Sequence, residues 1–242
     1  MNHLATLLTL CGKCVIILIL NDIGEISLKK FVTQFFNAVI GGMMIGIGGC
    51  VSLSCENKIV GAVLFSLGLF AIIQFGFGLY TGKIGYVPLR KPPYLLECLS
   101  TLLGNIAGTF IDAFLLRNTR IFAAIGEKAN ASVLTKVNDN LLSSFILAVF
   151  CGILMFLAVE NARACREEGA HTEKVIGILL CVTVFIISGF NHCVADMFYI
   201  FLAGQFPSAI GYLAIVILGN SVGGMLIPLL KMLTENPFEK QK

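Results

Sequence analysis

The sequence predicts an all-α polytopic membrane protein of six transmembrane helices, with the second and fifth of them broken. Three observations predict it. Of the 242 residues, 57% are hydrophobic and only 13% charged, and mean hydropathy is +0.91; a soluble domain carries roughly 25% charged residues. The apolar residues gather into six runs, about 31–53, 59–80, 94–116, 141–159, 175–201 and 208–232, each close to the roughly 20 residues that span a bilayer as a helix. Two of those runs are interrupted, by Gly76-Phe77-Gly78-Leu79-Tyr80-Thr81-Gly82 and by Ser188-Gly189-Phe190-Asn191-His192-Cys193-Val194-Ala195-Asp196. Hydrocarbon offers the backbone no hydrogen-bond partner, so a non-helical stretch at that depth must be buried in protein or line a cavity. Interrupted spans at corresponding places in two halves of a chain point to a substrate site. The breaks therefore read as a permeation site, with Thr81 in the first and His192, the one histidine within an apolar run, in the second.

The runs leave little room for a separate soluble domain. A net charge of +3 gives no reason to invoke nucleic acid; what matters is where the positive residues fall. With the N-terminus inside, twelve Lys and Arg lie on the inner side and five (Lys58, Arg117, Arg120, Lys128 and Lys136) on the outer. Positive charge favours the cytoplasmic side, which predicts an inner (plasma) membrane protein with both termini in the cytoplasm. Residues 4–20 are apolar but contain Lys13. Leu4, Leu7, Leu8, Cys11, Val15, Leu18 and Ile19 recur at helical spacing, which suits a helix lying in the interface. The expected division is thus an interfacial segment over 1–30, a six-helix domain over 31–232 and a tail over 233–242. Nine cysteines are scattered. Cys11 and Cys14 have CxxC spacing with no second pair or histidine cluster to complete a zinc site, so no metal or other cofactor is expected.

The two halves, about 31–116 and 141–232, repeat a motif. Gly104-Asn105-Ile106-Ala107-Gly108 and Gly219-Asn220-Ser221-Val222-Gly223 are both GNxxG, and each follows a break. Three spans per half would insert the halves with opposite orientation, as an inverted 3+3 repeat. GNxxG is also an ordinary small-residue packing face.

At these residues the chain resembles the formate/nitrite transporter family. The resemblance rests on Gly41 to Gly49, on Leu64-Phe65-Ser66-Leu67-Gly68-Leu69 leading to Leu79-Tyr80-Thr81-Gly82, on Gly189 to Phe198, and on Gly219 to Gly224. It implies an aquaporin-like protomer with its own pore, a homopentamer, and passage of small monovalent anions such as formate, nitrite or hydrosulfide across a lipid bilayer. The family's central pair maps to Thr81 and His192, its hydrophobic constrictions to Phe65, Leu69, Leu79 and Phe185, and its vestibule lysine to Lys136. Asn191 stands where many members have Glu, Asp196 where many have Asn, and Gly152 near a usual Asn. These departures change charge and hydrogen bonding around the histidine and lean the expected substrate toward hydrosulfide.

The chemistry fits the types. An anion in an apolar slit needs a compensating charge or a proton, and imidazole can supply either near neutral pH. The Thr81 hydroxyl can donate to an anion or accept from the ring. Phe65 and Leu69, four apart, share a helix face and can constrict a pore or simply pack. Asp196 either shares a face with His192, favouring a protonated ring, or serves the positive end of the resumed helix. Asp112 is expected to pair with Arg117. Asn105, Asn191 and Asn220 support the centre. A membrane-embedded enzyme using His192 and Asp196 is the alternative reading.

Overall fold

The computed structural model describes residues 28–234. Most of the interfacial segment expected over 1–30 and most of the expected tail lie outside the described residues; residues 28–30 of that segment begin the first helix. Nine α-helices follow in order: α1 Leu28–Ser54, α2 Lys58–Phe75, α3 Tyr80–Ile84, α4 Tyr94–Arg117, α5 Phe122–Val137, α6 Leu141–Glu168, α7 His171–Ser188, α8 Cys193–Ala203 and α9 Phe206–Thr234. Six of them, α1, α2, α4, α6, α7 and α9, are long and apolar enough to cross a membrane.

Local chemistry sets the boundaries. The Asn57 side chain accepts the Ile59 and Val60 amides at the start of α2, and Asn140 accepts the Ser143 amide at the start of α6. Pro92 and Pro93 precede α4, where proline's missing N–H costs nothing. Gly76 and Gly189 end α2 and α7 at φ of +74° and +73°, a left-handed conformation that closes a helix and suits a residue without Cβ.

Helix α5 was not foreseen as a helix. Ile125, Ala129 and Val133 recur every four residues and are its buried face. They pack it, through Ile125 and Ala129, against Phe198 and Leu202 of α8. Arg120, Glu127, Lys128 and Lys136 keep this stretch too polar to register as a span, so hydropathy alone leaves it as a loop.

Call the side where α1 begins and α9 ends the near side. Helices α2 and α7 then run antiparallel, and their ends are tied reciprocally. Lys58, at the far-side start of α2, donates to the Ile187 carbonyl at the end of α7. Lys174, at the near-side start of α7, donates to Gln74 at the end of α2. Each helix has 18 residues, about 27 Å of rise. Yet Thr81, just past the end of α2, touches His192, just past the end of α7. Both connecting segments must therefore turn back toward the middle, where α3 and α8 begin. The interruptions in the two apolar runs are thus returns from opposite faces.

Candidate functional site

The returns are held by two buried asparagines from other helices. In α4, Asn105 accepts the Tyr80 amide at 2.9 Å through Oδ1 and donates from Nδ2 to the Ala38 and Gly78 carbonyls at 2.8 and 2.9 Å. In α9, Asn220 accepts the Cys193 amide at 2.8 Å and donates to the Ala148 and Asn191 carbonyls, both at 2.8 Å. Tyr80 and Cys193 are the first residues of α3 and α8, so each asparagine satisfies a helix-start amide that nothing else at that depth would serve. Asn37 adds a bond to the Gly76 carbonyl.

The glycines beside each asparagine let the supporting helices approach closely. A Cβ on Gly104 or Gly108 would lie 2.4 or 2.1 Å from the Phe35 or Val39 carbonyl oxygen, and on Gly219 or Gly223, 2.7 or 2.0 Å from that of Phe145 or Val149. Gly152, read from the sequence as a departure, would meet the Asn220 carbonyl at 2.3 Å with a Cβ. The small residue brings α6 onto the asparagine that holds the second return.

Pairing the returns by their shared hydrogen bonds sets Gly76 with Gly189, Phe77 with Phe190, Leu79 with His192 and Tyr80 with Cys193. His192 thus corresponds to Leu79, not to Thr81. Each precedes its half-helix as the N-cap residue; Leu79 makes no side-chain cap bond, whereas His192 Nδ1 accepts the Ala195 amide at 3.1 Å. An accepting Nδ1 is unprotonated, so the ring carries its hydrogen on Nε2. Nε2 lies 3.0 Å from Thr81 Oγ1 and donates to it. That leaves the threonine's own hydrogen free to turn elsewhere. Both side chains are fully buried.

The expected constrictions sort into two pairs. On the far side, Phe65 meets Phe185 edge-on at 5.8 Å and Phe185 stacks on the His192 ring at 5.6 Å. A cavity of about 440 Å³ opens there, lined by these three residues with Lys58, Lys136, Asp139, Asn191 and Asp196. On the near side, Leu69 and Leu79 line a second cavity of about 380 Å³ with Lys83, Tyr86, Arg90, Arg163 and Arg166. The Thr81–His192 contact lies between the two. The near-side arginines were absent from the sequence reading of the site, although they had been counted as inner-side charges. There Glu160 pairs with Arg163 and accepts from Tyr86.

Asp196 lies in the first turn of α8, at its positive end, as one reading expected, but it neither caps that helix nor faces the His192 ring. Its carboxylate is buried, with Oδ1 paired to Lys136 and Oδ2 accepting from Tyr212 at 2.7 Å. His192, not Asp196, supplies the side-chain cap of α8. The enzyme alternative thus lacks its pair, since both carboxylate oxygens are engaged away from the ring. Asn191 donates to the Ser144 carbonyl at 3.3 Å. Asp112 does not pair with Arg117: Arg117 donates to the Leu202 carbonyl and sits over the Phe122 ring. Asp112 Oδ2 instead fills the notch at Gly46 with no hydrogen-bond partner among the described residues.

The family model described as "Formate/nitrite transporter" matches residues 16–233. The chain is 24% identical over 191 residues to the formate channel FocB of Escherichia coli (strain K12), covering 71% of this chain and 67% of that protein. It is 26% identical over 213 residues to the formate channel FocA of Escherichia coli (strain K12), covering 76% and 73%. A solved structure described as a pentameric formate channel with formate bound superposes with a TM-score of 0.72 at 25% identity, over 86% of this chain and 98% of that one. An FNT family ion channel has a TM-score of 0.76 at 23% identity, over 89% and 95%, a likeness of fold. These are membrane transporters rather than enzymes. With a match that runs through both returns and all six membrane-length helices, the chain belongs to the formate/nitrite transporter family.

Proposed function

We propose that this protein passes small monovalent weak-acid anions through a pore within each protomer of a homopentamer, as neutral acids, across the partition formed by Thr81 and His192. The observation that carries the reading is the pair of cavities opening from opposite faces onto one buried threonine–histidine contact. The relative solved as a pentamer with formate bound supports both the assembly and the substrate class. The matched asparagine bonds support an inverted repeat of two three-span halves, and the inner-side excess of Lys and Arg supports cytoplasmic termini.

The positive side chains that line the near-side cavity raise the local anion concentration there, while Lys136 on the far side offers hydrogen-bond donors. Phe65 and Phe185 on one side, and Leu69 and Leu79 on the other, make the partition costly for a bare anion. His192 acts as a neutral donor whose Nε2–H turns the Thr81 hydroxyl toward the passage. The anion takes one proton from cavity water, crosses as its uncharged acid and returns that proton to water on the other side, so no residue is consumed. Among candidate substrates, hydrosulfide is protonated more readily near neutral pH than formate or nitrite, and we propose that it is favoured. The test is flux of formate, nitrite, hydrosulfide and chloride into proteoliposomes. The reading expects the three weak-acid anions to move with proton uptake and hydrosulfide to move fastest. Chloride flux equal to theirs, or no flux at all, would overturn it.

A further inference from the structure

The far-side cavity holds a charge arrangement that the central contact does not require. Lys136, near the end of α5, and Asp196, in the first turn of α8, form an ion pair beside His192. The lysine side chain is 22% exposed and the carboxylate 2%. Among the described residues Lys136 has no second hydrogen-bond acceptor, so of its three donors one is spent on Asp196. The carboxylate's other oxygen is held by the Tyr212 hydroxyl from α9, itself buried. Three elements therefore meet to fix one surface-reaching cation against one buried anion. The pair carries hydrogen-bond donors but no net charge.

We propose that Asp196 and Tyr212 set the selectivity of the far-side mouth: by cancelling the charge of Lys136 they deny compensation to anions that cannot be neutralised by a proton, while leaving donors that greet those that can. This rests on the weak-acid reading above and specifies how the site rejects the anions of strong acids. The cavity's two lysines, Lys58 and Lys136, are balanced in number by Asp139 and Asp196, so such an anion reaching the phenylalanine pair meets an apolar partition and no net positive charge, and it bears the desolvation cost unaided. A weak-acid anion sheds that cost with its charge. Tyr212 is a positioning residue. It touches no permeating species and acts by holding Asp196 where it meets Lys136.

The test compares nitrate, which stays ionised, with formate, which does not, in proteoliposomes holding wild type, D196N, Y212F and the double variant K136M/D196N. Removing the carboxylate exposes one positive charge at the mouth, expected to raise the nitrate-to-formate flux ratio about tenfold in D196N. Y212F keeps the ring but loosens the pair, and the ratio should rise about twofold to threefold. K136M/D196N should return it toward wild type. A purely structural role for Tyr212 would lower both fluxes together and leave the ratio unchanged. Ratios that stay at the wild-type value in both single variants, or a rise that survives the loss of Lys136, would overturn the proposal. Should D196N fail to assemble, Y212F decides alone. If wild type carries no formate, it is the weak-acid reading that falls.

Discussion

The His192 ring serves two partners with its two nitrogens, and this decides what its replacement should do. Nδ1 takes the Ala195 amide and Nε2 reaches Thr81. Charging the ring would require Nδ1 to gain a hydrogen and surrender the amide. The sequence left open whether the imidazole holds charge or handles a proton; the bond to Ala195 favours a neutral donor. Asparagine is a strong helix N-cap, so His192→Asn should keep the start of α8 while losing the contact to Thr81. Formate flux should fall about tenfold or more. In both proteins it should decline as pH rises from roughly 5 to 8, a window around the histidine reference value, because the neutral-acid fraction shrinks. Parallel profiles are expected from proteoliposome flux; a change of shape would mean that the ring itself titrates. Thr81→Val removes the acceptor of Nε2–H and the donor to the passage. Leaving a buried donor unmet costs on the order of 1–3 kcal/mol, so flux should drop while the protein still assembles, as read by size-exclusion chromatography beside the flux assay.

The returns depend less on their own residues than on the helices beside them. Asn105→Ala and Asn220→Ala each strip a helix-start amide of its acceptor and two carbonyls of a donor. Each should lower thermal stability by an amount on the order of 1–3 kcal/mol. Gly108→Ala and Gly223→Ala place a methyl about 2 Å from a carbonyl oxygen of the facing helix, so α1 and α4, or α6 and α9, must separate; roughly 1–3 kcal/mol is again expected. Detergent melting curves check all four. These elements also show where sequence reading reaches. Hydropathy marks each long helix because every span must be apolar, and Gly-Phe-Gly and Gly-Phe-Asn mark the returns because a left-handed cap needs glycine. The GNxxG repeat pointed to the right asparagines, but their duty as acceptors for distant amides depends on contacts 25 and 27 residues away. Periodicity does not carry such contacts. The Asp196–Tyr212 pair was hidden for the same reason, and Asp112 was misassigned because a nearby arginine in sequence is not a neighbour in space.

On the scale of the whole molecule, the two faces differ in chemistry as well as in depth. The near-side cavity gathers Arg90, Arg163 and Arg166, while the far-side one pairs Lys136 with Asp196. If the chain ends are cytoplasmic, a cysteine placed at exposed Lys29 should react with an impermeant maleimide only from the inner side, and one at exposed Glu56 only from the outer. The measurement belongs in a background with the native exposed thiols replaced. Reversed labelling would invert the orientation and, with it, which compartment meets the arginines. The paired returns carry a broader consequence. Because Asn105 and Asn220 hold the loop backbones from outside, the side chain at 79 is relieved of scaffolding duty, a leucine with no capping bond, whereas the histidine at 192 still caps α8 through Nδ1. A lineage, or an engineer, can therefore rewrite what the protein admits at the leucine without renegotiating its architecture, an address where that freedom has not yet been spent on a polar group, while any change at the histidine must also supply a cap.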